Sequence, residues 1–386
     1  YFTDDKEFLG SYSSFNIAFA NANKKKKSDL FSTIILVKTT WWDALSAVRT
    51  LISQSAFLGL MALSFAVVAT IFFSKTITAP LSKLYKATRE VAAGNFDLML
   101  KTKSKDEIGA LSSSFNLMSS KISDLIEEQK EKTRLEGELA IASTVQQTLI
   151  PPPYFQNDHL MIRSHYQSAS ECGGDWWGFF TVENKTCIAI ADATGHGLPS
   201  ALITAAARSC FSMLHKLAQD NPALASSPGS MLSYTNRAIH EAALGQIMMT
   251  FFIATIDFES KLMTYSSAGH NPPWVFKKSE DKFRLHSLTA KGQRLGESIE
   301  VPPYQEKMMP ISQDDILFFY TDGVLEGTNT EGIQFGKKNM RKNVEASLGE
   351  GPEKVVESLM NQFMKHNGSK PLDDDVTLAV AKILQV

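Results

Sequence analysis

The longest apolar run of the chain extends from Leu51 to Phe73, and no charged residue occurs between Thr50 and Ser74. About 20 apolar residues suffice to cross the hydrocarbon core of a bilayer, and this run is long enough to do so with some tilt. The alternatives are a buried core helix and a signal peptide, but a signal peptide has a shorter apolar core and lies at the N-terminus. The pattern therefore predicts a transmembrane helix over residues 50–74.

Basic residues on the two sides of this run predict its orientation. Only Lys38 and Arg49 precede it closely, whereas four basic residues follow it: Lys75, Lys83, Lys86 and Arg89. Because basic residues favour the cytoplasmic side, we expect a single visible span of the cell inner membrane with the C-terminal portion in the cytoplasm. Residues 1–49, with a predicted strand at 32–42, would then be the end of an extracytoplasmic sensor region.

Two helices with regular apolar spacing are predicted after the span. The first begins near Pro80 and ends at Gly94-Asn95, and the second begins at Asp106-Glu107, where acids stabilise a helix N-terminus. Apolar residues of the second helix recur at spacings of three and four: Ile108, Leu111, Phe115, Met118, Ile122 and Leu125. This heptad pattern is typical of packed helices. Since two such helices cannot bury both apolar faces alone, we expect a homodimer.

This arrangement resembles a HAMP domain, the signal-relay module found directly inside the membrane in many bacterial receptors. The proline after the span, the glycine-ended first helix and the sequence DEIG at 106–109 match that family over residues 75–123. An ordinary helical hairpin is the alternative. The charged stretch 124–150 continues as a predicted helical linker, which Pro151–Pro153 end, and the homodimer would form through HAMP and linker together.

From residue 151 to 386 the pattern changes to short apolar runs separated by turns. Six runs are typical of strands: residues 185–192, 249–258, 262–269, 272–278, 315–323 and 375–383. Helices are predicted at about 198–219, 229–243 and 352–366. Connected strands with helices between them predict one α+β domain, in which packed sheets are covered by helices.

Composition narrows the chemistry. A formal net charge of −2 gives no indication of a nucleic-acid partner, and we expect none. The cysteines Cys172, Cys187 and Cys210 are too few and too scattered for a disulfide framework, and they lack the paired spacing of a structural zinc site.

Aspartates recur beside the predicted strands of the C-terminal domain. Asp175 follows a glycine pair, Asp192 ends one strand, Asp322 ends another, and Asp373–Asp375 directly precede a third. A single Asp-Gly after a strand is more often a turn than a metal ligand. Four instances in one domain favour an oxygen-rich cluster, and clustered carboxylates that repel one another usually require a cation. Hard oxygen ligands favour Mg²⁺ or Mn²⁺ over zinc.

Six motifs follow one another along the C-terminal part of the chain: ELAIASTVQQTLIP, ECGGDWWGFF, IADATGHGLPSALITAAA, SAGHNPP, FFYTDGVLEGTN and DDDVTLAV. In sequence and order they resemble the SpoIIE/RsbU-type branch of the metal-dependent (PPM) serine/threonine phosphatases. The resemblance covers about residues 137–384. It implies a β-sandwich flanked by helices, with two Mn²⁺ or Mg²⁺ ions at one edge.

The resemblance also implies the site residues. Asp175, Asp192, Asp322 and Asp374 match metal ligands and would carry the catalysis. Ala193 stands where many relatives have a glycine whose carbonyl binds metal, and it offers the same carbonyl. Asp375 is either a ligand or a hydrogen-bonded neighbour. His196 and His270, in glycine-rich turns, either protonate the leaving oxygen or are hydrogen-bonded within their turns.

One departure from the family pattern bears on activity. Relatives commonly carry an acid after the tryptophan pair, where this chain has Gly178. The departure raises an alternative: a weakly catalytic pseudophosphatase that acts as a binding module in a signalling complex. A histidine kinase is disfavoured because residues 120–150 contain no histidine, and a nucleotide cyclase does not suit the six motifs.

The motifs together predict a membrane-anchored, signal-responsive protein phosphatase. The resemblance implies a phosphoserine or phosphothreonine substrate on a regulatory protein, an anti-sigma-factor antagonist. Two metal ions would activate a water that attacks phosphorus in line, so no protein nucleophile is needed.

Overall fold

The computed structural model describes residues 8–17, 31–101, 104–279 and 282–386. It divides into two compact units, residues 1–129 and 130–386. The predicted domain boundaries, at 49/50, 74/75, 123/124 and 150/151, stay predictions.

The first unit begins with an antiparallel pair of strands, β1 (Phe8–Ile17) and β2 (Phe31–Thr40). The strand predicted at 32–42 is therefore confirmed, except that its last two residues begin a short helix, α1 (Trp41–Ala44). The long apolar helix α2 (Ser46–Phe73) follows and buries none of its residues within the chain.

Helix α2 continues through a π-helical turn (Ser74–Thr78) into α3 (Ala79–Ala92). Within the described residues, this continuous helix is the one long and apolar enough to cross a membrane. Helix α3 carries Pro80 in its first turn. It ends before Gly94, which has a φ of +95°, a conformation that glycine adopts with little strain.

Helix α4 (Glu107–Gln147) begins where its sequence predicts, because the carboxylate of Asp106 accepts the backbone N–H of Gly109 at 3.0 Å. The connector before it is held to the helix by Asn116, which binds both backbone groups of Leu100. Along the predicted seam Phe115 is buried, whereas Leu111, Met118 and Leu125 are 47–51% exposed in the single chain. The predicted homodimer would cover them.

The linker helix ends at Gln147, three residues short of the predicted 150. The reason lies in the residues before Pro151, since a residue that precedes proline is disfavoured in the α conformation. The chain tightens into turns in which Leu149 N–H binds Gln146 C=O at 2.8 Å. The carbonyl of Leu149 is then free to accept the indole N–H of Trp176 at 3.2 Å.

The second unit contains two antiparallel sheets. Their strands are β3 Tyr154–Gln156, β4 Leu160–Gln167, β5 Asp175–Val182, β6 Lys185–Ala193, β7 Met249–Asp257, β8 Leu262–Ala268, β9 Trp274–Ser279, β10 Lys282–Ser287, β11 Lys307–Pro310, β12 Ile316–Tyr320 and β13 Val376–Ile383. One sheet has the strand order β10-β9-β12-β13-β4-β3, and the other has the order β11-β8-β7-β6-β5.

Helices cover the outer faces of both sheets. They are α5 Leu198–Asp220, α6 Pro222–Ala225, α7 Pro228–Ala243, α8 Gly323–Glu326, α9 Gly336–Ser347 and α10 Pro352–Asn367, with a 3₁₀ turn at Leu348–Glu350. The predicted α+β architecture of packed sheets covered by helices is confirmed.

The tryptophan pair shows how the core is divided. Successive residues of a strand point to opposite faces. Trp177 therefore packs between the two sheets with Ile188 and Phe319, whereas Trp176 packs under α5 against Phe211. Both indoles are fully buried, which fixes β5 and with it the position of its first residue, Asp175.

Candidate metal centre

The four predicted acids lie at one edge of the paired sheets. Asp175 opens β5 and stands directly opposite Asp192 near the end of β6. Asp322 follows β12, and Asp374 precedes β13, the antiparallel neighbour of β12. The end of one antiparallel strand and the start of the next lie at the same side of a sheet, so each sheet contributes two acids to this edge.

Asp175 is held in place across the gap between the sheets. Its Oδ2 atom accepts hydrogen bonds from the hydroxyls of Thr321 and Thr377, both at 2.6 Å. Thr321 is the residue before Asp322, and its own hydroxyl accepts the backbone N–H of Thr377 at 3.1 Å. The acid of one sheet is thus tied to the two strands of the other sheet that carry Asp322 and Asp374.

The carboxylates of this edge raise one another's pKa. Burial raises the pKa of Asp192 to about 8, and the charges of Asp322 and Asp374 add to the effect. Burial also raises the pKa of Asp322, again with a contribution from Asp374. For Asp175, burial and the neighbouring Asp192 raise the pKa well above its usual range, against the two threonine hydrogen bonds that favour the charged form.

Glu326 is an acid of this edge that the sequence analysis missed. It lies four residues after Asp322, at the end of α8, and its charge raises the pKa of Asp192, Asp322 and Asp374. The spacing within YTDGVLEG was the available signal, because residues four apart share one face of a helix.

Among the residues that the structure describes, no three His, Cys, Asp or Glu side chains are already arranged as a metal-binding group. The chemistry of the donors nevertheless fits a divalent cation. Mutually repelling carboxylates that are partly removed from water favour either protons or a cation, and an all-oxygen set suits Mg²⁺ or Mn²⁺. Asp192, Asp322 and Asp374, together with Asp175, are the residues that would hold it.

Asp375 has its oxygens engaged with the backbone. It is buried, and it accepts the N–H groups of Ala169 at 2.7 Å and Gly174 at 2.5 Å, with Asp175 N–H at 3.4 Å. Because these backbone groups occupy its carboxylate oxygens, Asp375 is favoured as a hydrogen-bonded neighbour of the ligands over a ligand itself. The carbonyl oxygen of Ala193 lies beside Gly174, since a Cβ at Gly174 would lie only 2.9 Å from it.

The two histidines of the glycine-rich turns differ in their surroundings. His270 is buried; its Nδ1 accepts the hydroxyl of Thr250 at 2.7 Å, and its Nε2 lies 3.2 Å from the carbonyl of Tyr320. Burial lowers its pKa to about 4, so the ring is neutral at physiological pH. His196 is exposed and close enough to Asp374 to counteract partly the raised pKa of that acid.

Gly178 does not face the acids. It lies three residues along β5 from Asp175, about 10 Å away, on the face that carries Trp176. A Cβ there would come within 2.3 Å of the Trp176 indole, so glycine leaves the space that this ring fills. Packing against Trp176 therefore accounts for the glycine at this position, and the effect of the missing acid on activity stays a prediction.

Gln146, near the end of α4, was also missed by the sequence analysis. Its buried side-chain amide makes two hydrogen bonds to Gly173: Nε2 donates to the carbonyl at 2.5 Å, and Oε1 accepts the N–H at 3.0 Å. Gly173 lies two residues before Asp175. Gln146 lies within the motif ELAIASTVQQTLIP, but the motif alone does not indicate such a contact.

Comparison with known proteins identifies the C-terminal unit. Residues 183–384 match the family model described as Stage II sporulation protein E (SpoIIE). The chain belongs to the SpoIIE family. Asp192, Asp322 and Asp374 lie within the matched residues, and Asp175 lies just before them. Residues 72–124 match the HAMP domain model, so both resemblances read from the sequence are confirmed.

Two curated relatives come from Bacillus subtilis strain 168. Phosphoserine phosphatase RsbU is 28% identical over 64% of this chain and 70% of its own length. Phosphoserine phosphatase RsbP is 28% identical over 65% of this chain and 59% of its own length. Among solved structures, the SiaA-PP2C domain of Pseudomonas aeruginosa has a TM-score of 0.55 and 17% identity, over 65% of this chain and 98% of that domain. This last likeness concerns the fold.

Proposed function

We propose that the chain is a membrane-anchored, signal-responsive protein serine/threonine phosphatase. The observation that carries the proposal is the meeting of acids from both sheets at one edge, in a member of the SpoIIE family. The relatives named phosphoserine phosphatases support phosphoserine as the substrate group. A phosphorylated regulatory protein, an anti-sigma-factor antagonist, is the substrate we propose.

The mechanism assigns a role to each group of residues. Asp175, Asp192, Asp322 and Asp374 would hold divalent cations, and two threonine donors keep Asp175 in position. A pair of Mg²⁺ or Mn²⁺ ions, when bound, supplies phosphoryl binding and an activated water. A thiol nucleophile is disfavoured, because Cys172 and Cys187 are buried, Cys210 is half-buried, and burial raises the pKa of all three.

Signal transfer is proposed to run along the helices. Helix α2 would cross the membrane, and α4 runs unbroken from the HAMP domain to Gln147. Because Gln146 binds the backbone at Gly173, a displacement of the end of α4 would reach the turn that presents Asp175.

The test is phosphate release by the full chain in detergent, with phosphoserine casein as probe. We expect release that requires Mn²⁺ or Mg²⁺ and stops with a chelator. The Asp192→Asn variant should lose more than about 100-fold in rate, since even outer partners of metal ligands are worth about 10–100-fold. Wild-type activity without divalent metal, or an unchanged rate in the variant, would contradict the proposal.

The pseudophosphatase alternative makes a different prediction. A binding module would retain the phosphoprotein without releasing phosphate at any Mn²⁺ concentration. Calorimetric titration with Mn²⁺ separates the two, because a dead module should bind the metal weakly or not at all.

A further inference from the structure

A cleft of about 420 Å³ lies in the first unit, beside the π-helical turn. This volume is within the range of small-ligand sites. Its lining includes Lys75, Thr76, Lys83, Leu100 and Lys101. We call it the juxtamembrane cleft.

The lining is chemically one-sided. Three lysines face one small volume, and in the part of the chain that the structure describes none of them forms an ion pair. The carboxylate of Asp106, at the start of α4, accepts the N–H of Gly109 and, among the described residues, pairs with none of these lysines. Hydrogen bonds, the largest with Ser104, lower the pKa of this carboxylate. The ammonium groups and a hydroxyl of this lining suit the oxygens of a phosphate diester. Leu100 suits an apolar portion of the same ligand.

The position of the cleft selects the source of that phosphate. Lys75 is the second residue after the end of the apolar helix α2 at Phe73, and Lys83 lies about 12 Å further along the helix. A head-group layer is about 5–8 Å thick, and lysine side chains extend along a helix to reach it. Where α2 spans the membrane, Lys75 therefore lies within the head-group layer, and Lys83, about 15 Å beyond Phe73, reaches towards it by extending its side chain along the helix. Lys101 lines the same cleft from the connector.

We propose that the juxtamembrane cleft binds the phosphate head group of an anionic phospholipid. The proposal rests on the membrane anchoring put forward above. A lipid held between α3 and the connector at Leu100–Lys101 would join the two HAMP helices on the membrane side. The chain would then prefer one type of anionic lipid, whereas a basic surface alone attracts every anionic lipid.

The test uses the full chain in neutral detergent, titrated with dioleoylphosphatidylglycerol, with bound lipid counted by native mass spectrometry. Each lysine near an anionic lipid is worth about fivefold in affinity. We therefore expect about 25-fold weaker binding in Lys83→Gln/Lys101→Gln and about fivefold in Lys83→Gln alone. The single variant gives the answer if circular dichroism shows that the double variant loses helicity.

Lys86→Gln is the matched control, since Lys86 lies on the same helix, is exposed and does not line the cleft. We expect it to change affinity less than about twofold.

An equal loss of affinity for dioleoylphosphatidylglycerol in this control, or equal binding of dioleoylphosphatidylcholine by the wild type, would overturn the proposal. Displacement of the lipid by inorganic phosphate at equal concentration would overturn the lipid assignment in favour of a free anion. Release of the chain from membranes by alkaline carbonate would contradict the anchoring itself.

Discussion

At the scale of single residues, the hydroxyl pair around Asp175 is what joins the two sheets at the candidate site. Thr321 and Thr377 both donate to Oδ2 and so fix the orientation of the carboxylate. Such partners of a metal ligand set its orientation and its affinity. Their position in the other sheet means that the site depends on how the two sheets are packed.

We predict that Thr377→Val weakens Mn²⁺ binding about 10–100-fold, because the carboxylate loses one of its two donors. Thr377→Ser keeps the hydroxyl and should remain close to wild type. Calorimetric titration of both variants gives the measurement. Equal affinities in valine and serine variants would show that the hydroxyl has no part in holding Asp175.

Gly178 is predicted to matter for stability and not for metal binding. Gly178→Ala places a Cβ against Trp176 and should lower the free energy of unfolding by about 1–3 kcal/mol, the usual cost of overpacking a core. Gly349→Ala is the control, since no atom lies within 4 Å of a Cβ there. Urea unfolding checks stability, and Mn²⁺ titration should give equal affinities in all three proteins.

The acids of the site were predictable because strand-end aspartates recur within recognisable motifs. Glu326 and Gln146 were not, although both lie within those motifs, because the importance of each arises from what the fold places beside it. The face of β5 on which Gly178 lies was not predictable for a similar reason. A motif identifies a position, but only the pleat of β5 decides which face that position occupies.

At the scale of elements, periodicity located six of the strands of the second unit and missed the others, among them β4, which pairs with both β13 and β3. Strands such as β6 and β12 are buried along almost their whole length and appear as apolar runs. By contrast β10 and β11 are mostly exposed edge strands with mixed sequences, and α9 has a largely polar surface. Such elements form through pairing and packing that no local apolar pattern records.

The end of α4 gives a prediction at this scale. Gln146→Leu removes both bonds to Gly173 and leaves its buried backbone groups unpaired, so unfolding free energy should fall by about 1–3 kcal/mol. Hydrogen exchange in a peptide spanning residues 169–180 should become faster. Gln147→Leu, at the exposed neighbouring position, serves as the control. It should leave the free energy of unfolding and the hydrogen exchange of residues 169–180 unchanged. Unchanged exchange in the Gln146 variant would mean that the contact does not hold the turn.

At the scale of the whole molecule, the half-exposed seam of α4 predicts the assembly. Leu111→Glu/Met118→Glu puts acids at two seam positions and should convert a dimer of the full chain in detergent into monomers. Ser113→Glu adds an acid on the outer face of the same helix and should leave the dimer intact. Sedimentation analysis measures both, and a wild-type monomer would contradict the prediction.

The π-helical turn at Ser74–Thr78 has a consequence for insertions and deletions. A π turn accommodates one residue more than the α-helix around it. Removing Thr76 would let this turn relax to ordinary α winding while α2 and α3 stay in phase. The same deletion within α3 would rotate every later residue of that helix by about 100° relative to α2. The joint between α2 and α3 is therefore the one place in the described Ser46–Ala92 helix where one residue can be deleted without rotating the two helices relative to each other.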